Sequence, residues 1–200
     1  MTDEKRPYRM KRRAELEEAT RRRITESAAT LHGTLGPSRT SMSAVAEHAG
    51  VPRSTLYRHF PDEDALFDAC SAHWGERNPA PDPSAWAAVD DPAERLRLVL
   101  EELYAYYRST EGMIGNLLRD QATVPSVQRL FSGFADYLGA VRDVLLRGRR
   151  VRGRARTRTS AAIGHALGFS TWRSLAREQG LDDSQAAELM CRLVAAAETR

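Results

Sequence analysis

Between Ser41 and Leu66 the chain reads SMSAVAEHAGVPRSTLYRHFPDEDAL, two short helical patterns separated by one glycine. That punctuation limits the fold more than any other feature. Ser41 is placed to cap the first pattern, with Val45 and Ala49 a turn apart on its inner side. Gly50 supplies the left-handed residue on which helices commonly close, a conformation glycine reaches without strain. Pro52 falls in the first turn of a second helix running to Phe60, where its missing N–H costs nothing. Helical spacing puts Leu56 and Phe60 on one face, anchored with Val51 on the neighbouring helices. Ser54, Thr55 and Arg58 point the opposite way, flanked by Arg53 and Tyr57 on one edge and His59 on the other. Two short helices joined by a tight glycine turn make a helix-turn-helix, whose second helix enters the DNA major groove. The outward face carries the donor types that read base edges and phosphate oxygens.

Elsewhere helical periodicity dominates and nothing of length alternates as a strand would. A first helix is expected from about Ala14 to Leu31, with Ile24, Ala28, Leu31 and Leu35 on one face, stopped by GTLGPSRT. Asp62 caps a fourth helix with an apolar stripe of Leu66, Phe67, Cys70 and Trp74. The proline-rich GERNPAPDPSAWAAVDDP reads as a linker. Beyond it we expect helices from Pro92 to about Arg108, over EGMIGNLLRD, from Pro125 to Leu146, from about Thr157 to Glu178, and from Asp183 to Glu198. The chain is thus all-α, with about nine helices. It divides into an N-terminal helix-turn-helix domain (residues 1–75), a linker (76–91) and a helical domain (92–200).

The net charge is only +3, but it is unevenly placed. Residues 1–60 hold 12 Lys/Arg against 7 Asp/Glu, and the remainder holds 18 against 20. A basic N-terminal third suggests a polyanionic partner, although a solvated charged surface gives the same count. Cys70 and Cys191 are far apart within helical patterns and read as buried thiols of a reducing compartment. No apolar run approaches a membrane span, and MTDEKRPYRMKRR lacks the apolar core of a secretory signal; we expect a cytoplasmic protein. His32, His48, His59, His73 and His165 show no metal-ligand spacing, and no nucleophile elbow, phosphate loop or dinucleotide fingerprint occurs. No enzyme activity, metal or cofactor is expected.

The stretch AVAEHAGVPRSTLYRHFPDEDAL resembles the DNA-binding domain of the TetR family of transcriptional regulators. The resemblance rests on Ala46, the AGV turn, TLYRHF, and Leu66 six residues after that phenylalanine. It implies that Arg53, Ser54 and Thr55 read bases, with Arg58 on the same face. It further implies that Tyr57 and His59 contact phosphates, with Ser43 adding a phosphate contact early in the preceding helix; for His59 a capping or packing role is the alternative. At the start of the fourth helix the family usually carries a lysine. Here Glu63 stands in its place between Asp62 and Asp64, so that phosphate contact is expected to be missing. The basic arm KRPYRMKRR, residues 5–13, then either lies along the DNA or is a solvated tail.

In the second domain, Tyr107, Met113, Phe131, Phe134, His165, Phe169 and Trp172 are candidates for lining a pocket, or are simply core. The resemblance implies a small-molecule effector there, apolar or aromatic with a hydrogen-bonding group. His165, Phe169 and Trp172 would share one face of a continuous helix. The resemblance also implies a homodimer through the last two helices, using Ala162, Ala166 and Ser170 of one and Ala186, Leu189, Met190, Leu193, Val194 and Ala197 of the other; packing within one chain is the alternative. The partner expected from all of this is a palindromic DNA operator, bound by a repressor that the effector releases. A regulator of the same fold with no small-molecule effector is the competing reading. The tract RGRRVRGRARTR, with seven arginines and no acid from Arg147 to Arg158, reads as a solvated loop or a weak contact with an acidic partner or nucleic acid.

Overall fold

The computed structural model of the chain describes residues 5–199, and everything described in it is helix, turn or loop. The α-helices are α1 (Lys5–Thr34), α2 (Met42–His48), α3 (Arg53–His59), α4 (Glu63–Arg77), α5 (Pro83–Ala87), α6 (Pro92–Asp120), α7 (Pro125–Leu146), α8 (Gly153–Ala166), α9 (Phe169–Arg173) and α10 (Asp183–Glu198). A 3-10 turn covers Pro37–Arg39, and a π-helical turn, Ser174–Glu178, follows α9 directly.

The chain forms two compact units. One holds the residues up to Pro79 together with Gly112–Gln128; the other holds Ala80–Glu111 and the residues from Arg129 onward. α6 and α7 therefore each contribute to both. In the N-terminal unit α1 packs on α2 and α4, and α2 on α3. Ile24, Ala28, Val45, Ala46, Leu56, Phe60, Leu66 and Cys70 form a single apolar core. Removing one of its leucines, Leu56→Ala for example, costs about 2–5 kcal/mol through lost burial and the cavity left behind.

Several helix limits differ from those expected. α1 is already helical at Lys5, the first described residue and well before the start expected near Ala14. Leu35 falls beyond the end of α1 and is exposed. The two helices expected between Pro92 and Asp120 are one, of 29 residues. The helix expected from Thr157 to Glu178 is broken at Leu167 and Gly168. The carbonyls released there are taken by buried tyrosines: Tyr104 donates to Ala166 O at 2.8 Å and Tyr107 to Leu167 O at 2.7 Å. The last helix, Asp183–Glu198, lies where its pattern placed it, with Asp182 and Gln185 forming a capping box.

The stretch read as a linker contains α5, whose Trp86 is buried and donates its indole N–H to Glu102 at 2.8 Å. Close by in sequence, the buried Arg95 guanidinium donates to the carbonyls of Val89, Asp90, Val144 and Arg147 at 2.8–3.1 Å. These bonds fix the entry to α6 against the end of α7. Among the described residues no helix is long and apolar enough to cross a membrane.

Candidate nucleic-acid interface

The turn between α2 and α3 has the Schellman arrangement. Gly50 takes φ +63°, its N–H donates to Glu47 O at 3.0 Å, and Val51 N–H donates to Ala46 O at 3.0 Å. At the other end of α2 the Ser41 hydroxyl accepts from Ala44 N at 3.2 Å. α3 then seats Leu56, and Phe60 just after it, both wholly out of solvent. Each contributes about 1.5–3 kcal/mol of burial. With those two fixed inward, the rest of the helix is aimed by geometry: Arg53, Ser54, Tyr57 and Arg58 are exposed, while Thr55, His59 and Ser43 are half-buried.

The Arg53 guanidinium lies 5.9 Å from the centre of the Tyr57 ring, so the two edge residues approach each other. On the opposite edge, Arg21 of α1 donates to His59 O at 2.8 Å and stacks 4.2 Å over the Phe60 ring. Arg21 thereby takes one of the carbonyls left open at the end of α3. His59 Nε2 is shielded from solvent and has no hydrogen-bond partner among the described residues. Burial, followed by the neighbouring Arg58 and Arg21 charges, lowers the His59 pKa, against an opposing pull from Glu17 and Glu18. A neutral His59 adds no charge to the face, and its ring nitrogen meets phosphate only if the side chain moves.

Acids follow immediately. Asp62 caps α4, accepting from Ala65 N at 2.8 Å, and Glu63 and Asp64 occupy the exposed first turn. Carboxylates suit a helix N-terminus, and Asp64 also accepts a hydrogen bond from the Ser126 hydroxyl. The arm of residues 5–13 is the helical beginning of α1, and Tyr8 and the residues from Met10 to Ala19 are exposed.

The N-terminal unit also contains a polar joint that its sequence does not announce. Gly36 sits at φ 95°, ψ 156°, and a Cβ there would lie 2.0 Å from Arg119 Nη2 and 2.6 Å from Asp120 Oδ2. Around it Asn116 donates to the carbonyls of His32 and Gly33 at 3.1 and 2.8 Å, and Arg119 to that of Leu35 at 2.7 Å. Asp120 accepts from Ser38 N at 3.0 Å. The end of α6 is thus bonded to the backbone between α1 and α2. A glycine followed by proline signals a turn, but its partners lie more than 80 residues away.

The residues expected to line a pocket are not gathered in one place. Tyr107, Phe169 and Trp172 pack together in the C-terminal unit, with ring centres 5.3–6.0 Å apart. Trp172 is fully buried, donates to Asp183 at 2.9 Å, and lies near the Arg108 and Arg177 guanidiniums. Phe131 and Phe134 are half-buried on α7. Met113 belongs to the N-terminal unit, beside Gly33. His165 is exposed near the end of α8 and, because of the break at Gly168, shares no helical face with Phe169 and Trp172.

The last two helices divide their residues. α8 packs on α10 within the chain. Ala166, Ala186, Met190 and Val194 are buried, and Ala162 and Ala197 are half-buried. Leu189 and Leu193 stay 44% and 42% exposed on the free side of α10, and Ser170 is exposed on α9.

The glycine turn that presents one short helix with an outward polar face has the helix-turn-helix architecture. Residues 24–70 match the family described as bacterial regulatory proteins of the tetR family. A TetR-like transcriptional regulator from Rhodococcus sp. RHA1 is similar in structure, with 22% identity and a TM-score of 0.60 over 88% of this chain and 93% of that one. AibR, in complex with isovaleryl coenzyme A and operator DNA, is similar at 20% identity and a TM-score of 0.62 over 86% and 96%. NalD of Pseudomonas aeruginosa, the secondary repressor of the MexAB-OprM multidrug efflux pump, is similar at 19% identity and a TM-score of 0.59 over 92% and 97%. No curated protein matches the chain in sequence. Residues 24–70 thus carry a helix-turn-helix domain of the tetR-family type, and the chain as a whole shares the fold of these regulators.

Proposed function

We propose that the protein is a cytoplasmic homodimeric repressor that binds a palindromic operator and is released from it by a small molecule. The observation that carries this reading is α3, whose buried Leu56 and Phe60 hold Arg53, Ser54, Tyr57 and Arg58 out to solvent. Arg53, Ser54 and Thr55 are assigned to base edges. Tyr57, Arg58, Ser43 and a reoriented His59 are assigned to phosphates. Two-fold symmetry supplies two such helices for two half-sites. The exposed Leu189 and Leu193, beside the half-buried Ala162 and Ala197 on the paired helices α8 and α10, support a dimer through that face. The similarity to a repressor and to a regulator bound to an acyl-coenzyme A and operator DNA supports the rest.

We place the effector among the aromatic residues of α6, α7 and α9. A π-helical turn directly after α9 supports that placement, since such turns are frequent at functional sites. A specific observation favours the competing reading, a regulator without a small-molecule effector. Tyr107 and Trp172 are fully buried, and each already has a protein hydrogen-bond partner.

Selection of bound sequences from a random duplex library tests the first part. The reading requires inverted half-sites centred about 10 bp apart or a multiple of that. A single half-site, or no enrichment, refutes it. Small molecules are then screened for release of the selected duplex, and a full screen without release favours the effector-free regulator.

A further inference from the structure

The seven arginines between Arg147 and Arg158 are sorted by the structure into two kinds. Two belong to the fold. Arg149 is anchored by the carbonyls of Leu145 and Pro92 at 2.9 and 2.7 Å and by the Glu198 carboxylate. Arg158 donates to Thr199 O at 2.6 Å. The other five, Arg147, Arg150, Arg152, Arg154 and Arg156, are exposed, and among the described residues no hydrogen bond or ion pair engages their side chains. Nearby carboxylates do not cancel them. Glu198 is held by Arg149, and Asp143 lies 3.8 Å from Arg142.

The backbone at the start of the tract is held at three carbonyls. The buried Arg95 holds the carbonyls of Val144 and Arg147, and Arg149 holds that of Leu145. α8 starts inside the tract with Arg152 at the N-cap, no side-chain cap and no acid in its first turn. Cations crowded at the positive end of a helix repel it and one another, so the tract acts against the stability of its own helix. Arginine as a residue type carries no information here, because the whole chain uses arginine almost to the exclusion of lysine. The information lies in the concentration of unpaired charge between the anchored end of α7 and the start of α8.

We propose that residues 147–156 form a second nucleic-acid contact, in which these arginines bind the phosphate backbone of duplex DNA without regard to sequence. The occupant is chosen by charge density and by proximity. A duplex presents one negative charge per about 1.7 Å of axis, about twice the linear density of an extended acidic chain, and releases counterions when arginines replace them. Proximity rests on the proposed reading that the chain binds DNA through α3, which gives a weak second contact the raised local concentration that tethering provides. The inference needs neither the dimer nor the effector of the preceding reading.

The test compares the full-length protein with a variant carrying Arg150→Gln, Arg152→Gln, Arg154→Gln and Arg156→Gln. Each binds a labelled 30-bp duplex of random sequence between 50 and 200 mM salt. Taking one arginine off a phosphate flattens the salt dependence by about 0.9 log units, which is about 3.5-fold in affinity across that range. The slope of the glutamine variant is expected to flatten by about twice that amount or more, and that of the corresponding lysine variant to stay near the parent's. The comparison is repeated in an Arg53→Ala, Arg58→Ala background, where the flattening must persist if the tract acts by itself. The single variants Arg150→Gln and Arg154→Gln provide the same reading if the quadruple variant does not fold. A salt slope equal to that of the parent overturns the proposal. So does an unchanged slope on DNA together with abolished binding to polyglutamate, which would assign the tract to an acidic polypeptide.

Discussion

Leu193→Ala isolates the proposed dimer face from the stability of the protomer. Leu193 is 42% exposed and Leu189 44%, whereas their neighbours Met190 and Val194 are buried against the same chain. Full burial of a leucine contributes about 1.5–3 kcal/mol, so covering the exposed part of Leu193 contributes about 0.9 kcal/mol. Two-fold symmetry repeats the contact, and alanine keeps only a fraction of it. The dimer should weaken by about 1.5 kcal/mol, close to tenfold in its dissociation constant. Leu193→Arg should weaken it much further, because a guanidinium brought into an apolar contact is left unpaired. Sedimentation equilibrium over a wide concentration range measures the constant, and circular dichroism checks that the protomer keeps its helix content. Operator binding should weaken in parallel, since half-sites are held in pairs. A dissociation constant unchanged in both variants would refute the reasoning and move the interface off α10.

Arg53→Ala should weaken operator binding by about 1–3 kcal/mol and relax preference at one position per half-site; equal weakening on every sequence would make Arg53 a phosphate contact. Gly36→Ala should destabilise the protein by about 3 kcal/mol or more in urea melts, since φ 95°, ψ 156° is open essentially only to glycine and the new Cβ would displace Arg119 and Asp120. Gly50→Ala, with nothing near its Cβ, should cost only about 1–2 kcal/mol, and equal losses at the two sites would show that the joint around Gly36 contributes little. Burial, partly opposed by the Asp120 charge, lowers the His32 pKa from 6.5 to about 4. The folded state therefore resists protonating His32, and this contribution is complete above about pH 6.5 and lost as pH falls toward 4. At pH 5 the parent should have lost about 2 kcal/mol relative to a His32→Gln variant measured over the same range, and parallel pH profiles would contradict that assignment.

The parts of this molecule that its sequence displays are those whose signals are local. Ser41, Gly50 and Pro52 each act on backbone within a few residues, and Leu56 and Phe60 are a single turn apart, so α3 and its outward face are readable from one short stretch. The same holds for Asp62 and Asp182, which cap the helices they precede. Expectations fail where distant atoms decide. Ser109 and Thr110 fall between two expected helices, but the buried Thr110 satisfies its hydroxyl on Tyr106 O, and Gly112 lets α6 pass within contact of Gly33 O. The break at Gly168 has no local signal, because the groups that stabilise it, the hydroxyls of Tyr104 and Tyr107, come from about 60 residues earlier. By their aromatic surface those tyrosines read as pocket or core, yet their hydroxyls are what let α8 end where it does. α10 shows a third case, in which periodicity is right and incomplete. Ala186, Leu189, Met190, Leu193, Val194 and Ala197 do form a stripe, but one stripe serves two surfaces, since Met190 and Val194 are buried within the chain while Leu189 and Leu193 stay uncovered. Helical spacing reports which residues are apolar together, and only packing shows which of them remain available to a second chain.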